Sequence, residues 1–68
     1  MSKDELKKII DEALETDSAI DAVNPPEVAV YTQVWFIDFK QIDAIRAKGV
    51  NLINVSVEGY HLTLRVKL

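Results

Sequence analysis

The clearest periodic pattern in the chain lies near its amino terminus. Five apolar side chains recur with the spacing of one helix face: Leu6, Ile9, Ile10, Ala13 and Leu14. Ser2 and Glu5 have the spacing of a capping box, which fixes the start of this helix. Ser18 and Asp21 indicate a cap for a short second helical piece. The pattern therefore predicts an N-terminal helical segment over residues 1–23.

A β-rich run follows a stiff proline segment. Asn24-Pro25-Pro26 ends the helical pattern, because proline disfavours helix in the residue before it, and residues 24–27 are interpreted as a connector. From Val28 to Ile37 the residues are mostly β-branched or aromatic. Alternation places one set on one face of a strand: Val28, Val30, Thr32, Val34 and Phe36. The other face receives Ala29, Tyr31, Gln33, Trp35 and Ile37.

A second helix and a hairpin complete the chain. Asp38 and Gln41 repeat the capping-box spacing, and Gly49 suits the end of a helix that runs through Lys48. The apolar stripe expected to face the core is Phe39, Ile42 and Ile45. The last nineteen residues alternate as two strands around a two-residue turn at Glu58-Gly59. That register places Ser56 opposite His61.

These elements define the expected fold. Their order is αβαββ, an α+β fold built as a two-layer α/β sandwich over one domain, residues 1–68. Residues 28–68 form a βαββ unit whose first two strands run parallel, because a helix connects them. The expected sheet is mixed and three-stranded, with both helices on one face.

Charge and composition narrow the functional classes. The net charge is −3, with three lysines against eight acids in residues 1–34 and five bases against three acids in residues 35–68. An acidic total argues against non-specific binding to duplex nucleic acid. The chain has no cysteine, so it has neither a disulfide nor a thiolate metal site. Its charged start and the lack of a long apolar run predict a cytoplasmic protein that does not enter a membrane.

Catalytic chemistry is poorly represented. The one histidine, His61, is predicted to face Ser56, but only Glu58 in the turn is near enough to orient it. The acidic residues of the first helix lack the glycine turn and alternating oxygen ligands of a calcium loop. The two glycines do not form a phosphate-binding loop. We therefore expect no enzyme activity, no cofactor, no metal and no small-molecule substrate.

The remaining candidate is the sheet face opposite the helices. Aromatic, polar and basic side chains would share it: Tyr31, Gln33, Trp35, His61, Arg65 and Lys67. Three interpretations are open. Trp35 is core, packed under residues 17–27; or the face binds protein, since Trp, Tyr and Arg are enriched in interface hot spots; or it stacks the bases of a single-stranded nucleic acid.

Association is the favoured interpretation. Two short helices cannot cover both faces of such a strand, and an open sheet keeps edges that can pair with another strand. We therefore expect a homodimer or a contact with a protein partner, through the sheet face or edge around Tyr31 and Trp35. Single-stranded nucleic acid is the alternative ligand.

Overall fold

A four-stranded antiparallel sheet carries two helices on one of its faces. The computed structural model describes all 68 residues, Met1–Leu68. In chain order the elements are helix α1 (Lys3–Leu14), strands β1 (Ala19–Asn24) and β2 (Glu27–Tyr31), helix α2 (Phe39–Ala47), and strands β3 (Asn51–Glu58) and β4 (His61–Lys67). The strands lie in the order β1-β2-β4-β3. The α+β class predicted from the sequence is confirmed.

Strand β1 replaces the predicted second helical piece. Residues 19–24 pair antiparallel with β2, and the predicted proline connector is the turn of this hairpin. A helix of six residues is costly to nucleate, whereas the ladder with β2 satisfies the same backbone groups. The expected three strands therefore become four.

The two strands joined by α2 have the expected parallel direction but are not neighbours in the sheet. β2 and β3 run in the same direction, but β4 lies between them and pairs antiparallel with both. β4 takes this central place because alternate residues on its inner side are fully apolar: Leu62, Leu64 and Val66 are each at most 1% exposed. The mixed sheet expected from the sequence is wrong for this reason.

The register of the β3–β4 hairpin differs from the prediction: the turn lies one residue later, so the residues of β3 next to the turn face partners two residues further along β4. The turn lies at Gly59-Tyr60, and Glu58, not Ser56, is opposite His61. Gly59 has φ 64°, a left-handed conformation that favours glycine at this turn position. A bulge at Ile53 then turns Leu52 inward, opposite Val66.

The core lies between the helices and the inner sheet face. Its buried members in the helices are Leu6, Ile10 and Leu14 of α1 and Ile45 of α2. The sheet contributes Val28, Val30, Leu52, Leu64 and Val66, and Val50 joins them from the position just before β3. The inward direction of Val28 and Val30 follows the predicted alternation. Neither helix has the length and apolar composition that a bilayer crossing requires.

An ion-pair network fixes the end of α1 against the start of β1. The ammonium of Lys7 donates to Asp11 Oδ2 (2.6 Å), to Asp17 Oδ1 (2.7 Å) and to the Ser18 carbonyl (2.8 Å). Asp11 Oδ1 accepts the Ser18 backbone N–H at 2.8 Å. Partial burial alone would raise the pKa of Asp11, but the hydrogen bonds from Lys7 and Ser18 outweigh it and hold that pKa below its ordinary value. The hydrogen bonds to Asp11 and Asp17 raise the pKa of Lys7.

The Asp11→Ala substitution should lower the free energy of unfolding by about 1 to 2 kcal/mol, because it removes the acceptor of the Ser18 N–H and one of the three acceptors of Lys7. The matched control is Glu12→Ala on the exposed side of the same helix turn, which should change it by less than about 0.5 kcal/mol. Because the pKa of Asp11 is lowered in the folded state, its contribution is present at neutral pH and lost as the pH falls below about 4. Urea unfolding at pH 7 and pH 3 checks this. Equal losses for both variants at pH 7 would contradict it.

Candidate protein contact surface

The structure divides the predicted site residues between two places. Tyr31, His61, Arg65 and Lys67 lie on the outer sheet face, which no helix covers. Gln33 and Trp35 lie instead in the loop between β2 and α2, because β2 ends at Tyr31. The strand predicted over residues 28–37 is therefore too long, and Trp35 is not on the sheet.

The early end of β2 has a simple cause. β4 begins at His61, so residues beyond Val34 have no strand to pair with. Thr32 and Val34 make the last contacts with it: the Thr32 N–H donates to the Leu62 carbonyl (3.0 Å), and the Leu62 N–H donates to the Val34 carbonyl (2.8 Å). The buried Thr32 hydroxyl also donates to the Leu62 carbonyl, at 3.0 Å. These bonds fix the start of the loop.

The outer sheet face is polar and of mixed charge. Its charged or titratable side chains are Asp21, Glu27, Glu58, His61, Arg65 and Lys67. Arg65 Nη1 lies 3.6 Å from Glu27 Oε1, and both side chains are solvent-exposed enough for the pair to be weak. Tyr31, 41% exposed, is the single aromatic residue on this face. The face therefore lacks the row of aromatics that the sequence predicted.

The loop instead directs its aromatic side chains into solvent at the edge of the helical layer. Val34 and Ile37 pack against the core, whereas Trp35 and Phe36 between them are 70% and 60% exposed. The two rings contact edge to face, with centroids 6.2 Å apart. The loop is held at both ends, since the Gln33 N–H donates to the Thr16 hydroxyl (3.0 Å) and Ile37 is followed by the capped start of α2.

Phe39 extends this aromatic group onto α2. Asp38 and Gln41 form the predicted capping box, with Gln41 N–H to Asp38 Oδ1 at 2.8 Å and Asp38 N–H to Gln41 Oε1 at 2.9 Å. Phe39 is the first residue of the helix and is 84% exposed, while Ile45 fills the core position. The sequence pattern had placed Phe39 on the buried stripe, and this expectation is wrong.

A groove joins Phe39 to strand β3. It has about 310 Å³ of open space and is lined by Phe39, Ile42, Asp43 and Arg46 on the helix and by Leu52, Ile53, Asn54 and Val55 on the strand. A second recess, about 380 Å³, joins Phe39 to Phe36. The exposed apolar residues and the half-buried Val55 are thus contiguous. We call the following set the apolar surface: Trp35, Phe36, Phe39, Ile53, Val55 and Val57.

Strand β3 also offers unpaired backbone groups. The N–H and C=O of Leu62 point toward the β2 side, so those of the flanking His61 and Thr63 point toward β3. The backbone N–H and C=O groups of Glu58 and Ser56, which lie opposite His61 and Thr63, therefore form hydrogen bonds with β4. By alternation, Val55 and Val57 direct their N–H and C=O groups away from the sheet, at its free edge.

The residues that suggested chemistry are not brought together. Ser56 is opposite Thr63, and His61 is opposite Glu58, so the predicted Ser56–His61 pair does not form. No group of three or more His, Asp or Glu side chains converges in a way that could hold a metal ion. The side chains that the structure brings together are therefore those of the apolar surface.

Sequence reasoning missed Phe36, Phe39 and the β3 edge. The strong capping signal at Asp38 could have located them, because a helix that begins there leaves Trp35 and Phe36 in a connecting loop instead of a strand.

Comparison with protein-family models, curated proteins and solved structures finds no match to this chain.

Proposed function

We propose that this chain is a non-enzymatic interaction module that binds a second copy of itself through the apolar surface. The observation that carries the proposal is the contiguous exposure of three aromatic rings beside an unpaired, apolar edge strand. Large contiguous apolar patches on proteins of this size typically serve contacts with other macromolecules. Aromatic side chains supply much of the binding free energy in such contacts.

Two features favour a second copy as the occupant. Only 14 of 68 residues are buried, so the chain has a small core that association would enlarge. The charged side chains that border the groove, Asp43 and Arg46, have opposite signs. Two copies can therefore meet at this surface with acid facing base, although each carries a net charge of −3.

Single-stranded nucleic acid on the outer sheet face is not favoured by any contact. Three acidic residues share that face with the basic side chains: Asp21, Glu27 and Glu58. Arg65 already pairs with Glu27. Phosphate binding depends on uncompensated positive charge, and stacking depends on several aromatic faces. Tyr31 alone supplies one.

Self-association predicts that stability depends on protein concentration. The melting temperature should fall by about 3 to 6 °C for each tenfold dilution, because dilution favours the separated, unfolded chains. Trp35 is the only tryptophan and belongs to the apolar surface, so its emission should move to longer wavelength over the same dilution. Differential scanning fluorimetry and emission spectra measure both quantities on one sample series. Self-association would be refuted by a constant melting temperature together with Trp35 emission at the wavelength of a water-exposed indole at every concentration. If added cellular protein then shifted that emission, the partner of the apolar surface would be a different protein and not a second copy.

A further inference from the structure

The free edge of β3 has a backbone pattern that is complementary to itself. Val55 and Val57 both present N–H and C=O groups outward, with Ser56 between them. In an antiparallel pair of two β3 strands, Val55 of one copy can lie opposite Val57 of the other, and the reverse. Both pairs then exchange two hydrogen bonds each, and the two Ser56 residues face each other on the twofold axis.

Resting on the self-association proposed above, we infer that two copies join by antiparallel pairing of their β3 edges about a twofold axis at Ser56. Two four-stranded sheets thereby become one continuous sheet with the helices of both copies on the same side. On that side the valines pair across the axis. On the outer side Asn54 lies opposite Glu58 of the second copy, where an amide can donate to the carboxylate.

The same register places the aromatic rings near the junction. Phe39 borders the same groove as Val55, and Phe36 shares a recess with Phe39. Val55 is next to the axis at Ser56, so the exposed starts of the two α2 helices approach each other over the joined strands. Strand pairing and burial of the apolar surface are therefore parts of one contact.

The opposite edge of the sheet is a poor alternative. By the same alternation, Ile20 and Ala22 direct their backbone groups outward from β1, so an equivalent self-pairing would be centred on Asp21. Two carboxylates would then face each other directly across the strands, which is destabilising. β3 has no charged residue between Asn51 and Val57. The geometry thus selects β3 over β1.

A single cysteine at the proposed axis tests this pairing in the full chain, which has no native cysteine. Residues opposite each other in a non-hydrogen-bonded antiparallel pair have Cα atoms about 4.5 Å apart, within the range that a disulfide spans. Ser56→Cys should therefore form a covalent dimer under mild oxidation. The matched control is Asn54→Cys on the same face of β3, because in this register the two residues 54 are four positions apart along the paired strands, about 13 Å, beyond the reach of a disulfide.

We expect Ser56→Cys to cross-link at least about tenfold faster than Asn54→Cys, with circular dichroism showing that both variants are folded. Equal rates, or a faster Asn54→Cys, would overturn the β3 pairing. Sedimentation of the unmodified chain separates the two claims: a dimer without selective cross-linking leaves self-association standing and removes the β3 geometry, whereas a monomer removes both.

Amide exchange gives a second measurement on the unmodified chain. The Val55 and Val57 N–H groups should exchange more slowly as concentration rises, and exchange that does not depend on concentration would also overturn the pairing.

Discussion

The Leu64→Ala variant should lose about 2 to 5 kcal/mol of its free energy of unfolding, the largest stability effect that we expect for a single substitution. Leu64 is 0% exposed at the centre of β4, where it lies opposite Val30 on one side and Val55 on the other. Shortening it removes buried methyl groups and leaves a cavity between the sheet and the helices. A chain of this length typically has about 3 to 10 kcal/mol in total, so much of the population should unfold.

Ile53→Ala is the matched control for this prediction. Ile53 is an aliphatic residue of the same size at the bulge of β3, and it is 49% exposed. Its truncation should cost about 1 kcal/mol or less, because little of the side chain is removed from water in one copy. Urea unfolding followed by circular dichroism measures both variants at a low, fixed concentration. A loss for Leu64→Ala no greater than that for Ile53→Ala would show that the core is not centred on β4.

The Val57→Lys variant should weaken self-association about a hundredfold, a loss of about 2.7 kcal/mol in binding free energy. Val57 is 61% exposed, so the substitution leaves the core of each copy intact. In the contact, however, an ammonium group would replace an apolar side chain that pairs across the twofold axis, and its desolvation is unfavourable. Lysine on an edge strand is also a common means by which proteins prevent strand pairing.

Val23→Lys makes the same chemical change on the other edge of the sheet. Val23 is 46% exposed in β1, so the variant adds an identical charge to an exposed valine outside the apolar surface. It should leave the dissociation constant within about twofold of the unmodified value. Sedimentation equilibrium gives the constant for each variant. An equal weakening by both lysines would attribute the effect to net charge and not to the β3 contact.

Local sequence signals located both helices. Ser2 and Glu5, and then Asp38 and Gln41, are close enough along the chain to cap a helix whatever surrounds them. Each cap depends on atoms only three residues apart. The starts of α1 and α2 could therefore be predicted from the sequence alone.

The sheet depended on distant partners, and here the prediction failed. Residues 19–24 are strand because β2 lies beside them, while their composition, with Asp21 and two alanines, has weak β preference. The β-branched run from Val28 predicts a strand through Ile37. The observed strand ends at Tyr31 because its partner β4 begins at His61 and offers later residues no strand to pair with. Next to the turn, the hairpin register differs from the prediction by two residues, a shift that keeps each side chain there on its face, so the apolar alternation is compatible with both registers.

The surroundings of Trp35 were not predicted. The sequence left open whether Trp35 is core or exposed; it is exposed, on a loop beside Phe36 and Phe39 instead of on the sheet beside Tyr31. The error follows from the strand end: alternation was extended past the last residue that has a partner. Exposure at a loop cannot be derived from alternation, since it depends on which side chains the neighbouring elements leave uncovered.

The most direct test of the account is the mass of the unmodified chain in solution. Sedimentation equilibrium over about a hundredfold range of concentration should show the average mass rising from that of one chain toward that of two. The rise should follow a single monomer–dimer equilibrium, because the β3 contact closes on itself and leaves no second copy of that edge free. The mass of one chain at every concentration would contradict the central claim that the exposed apolar surface is a contact between two copies.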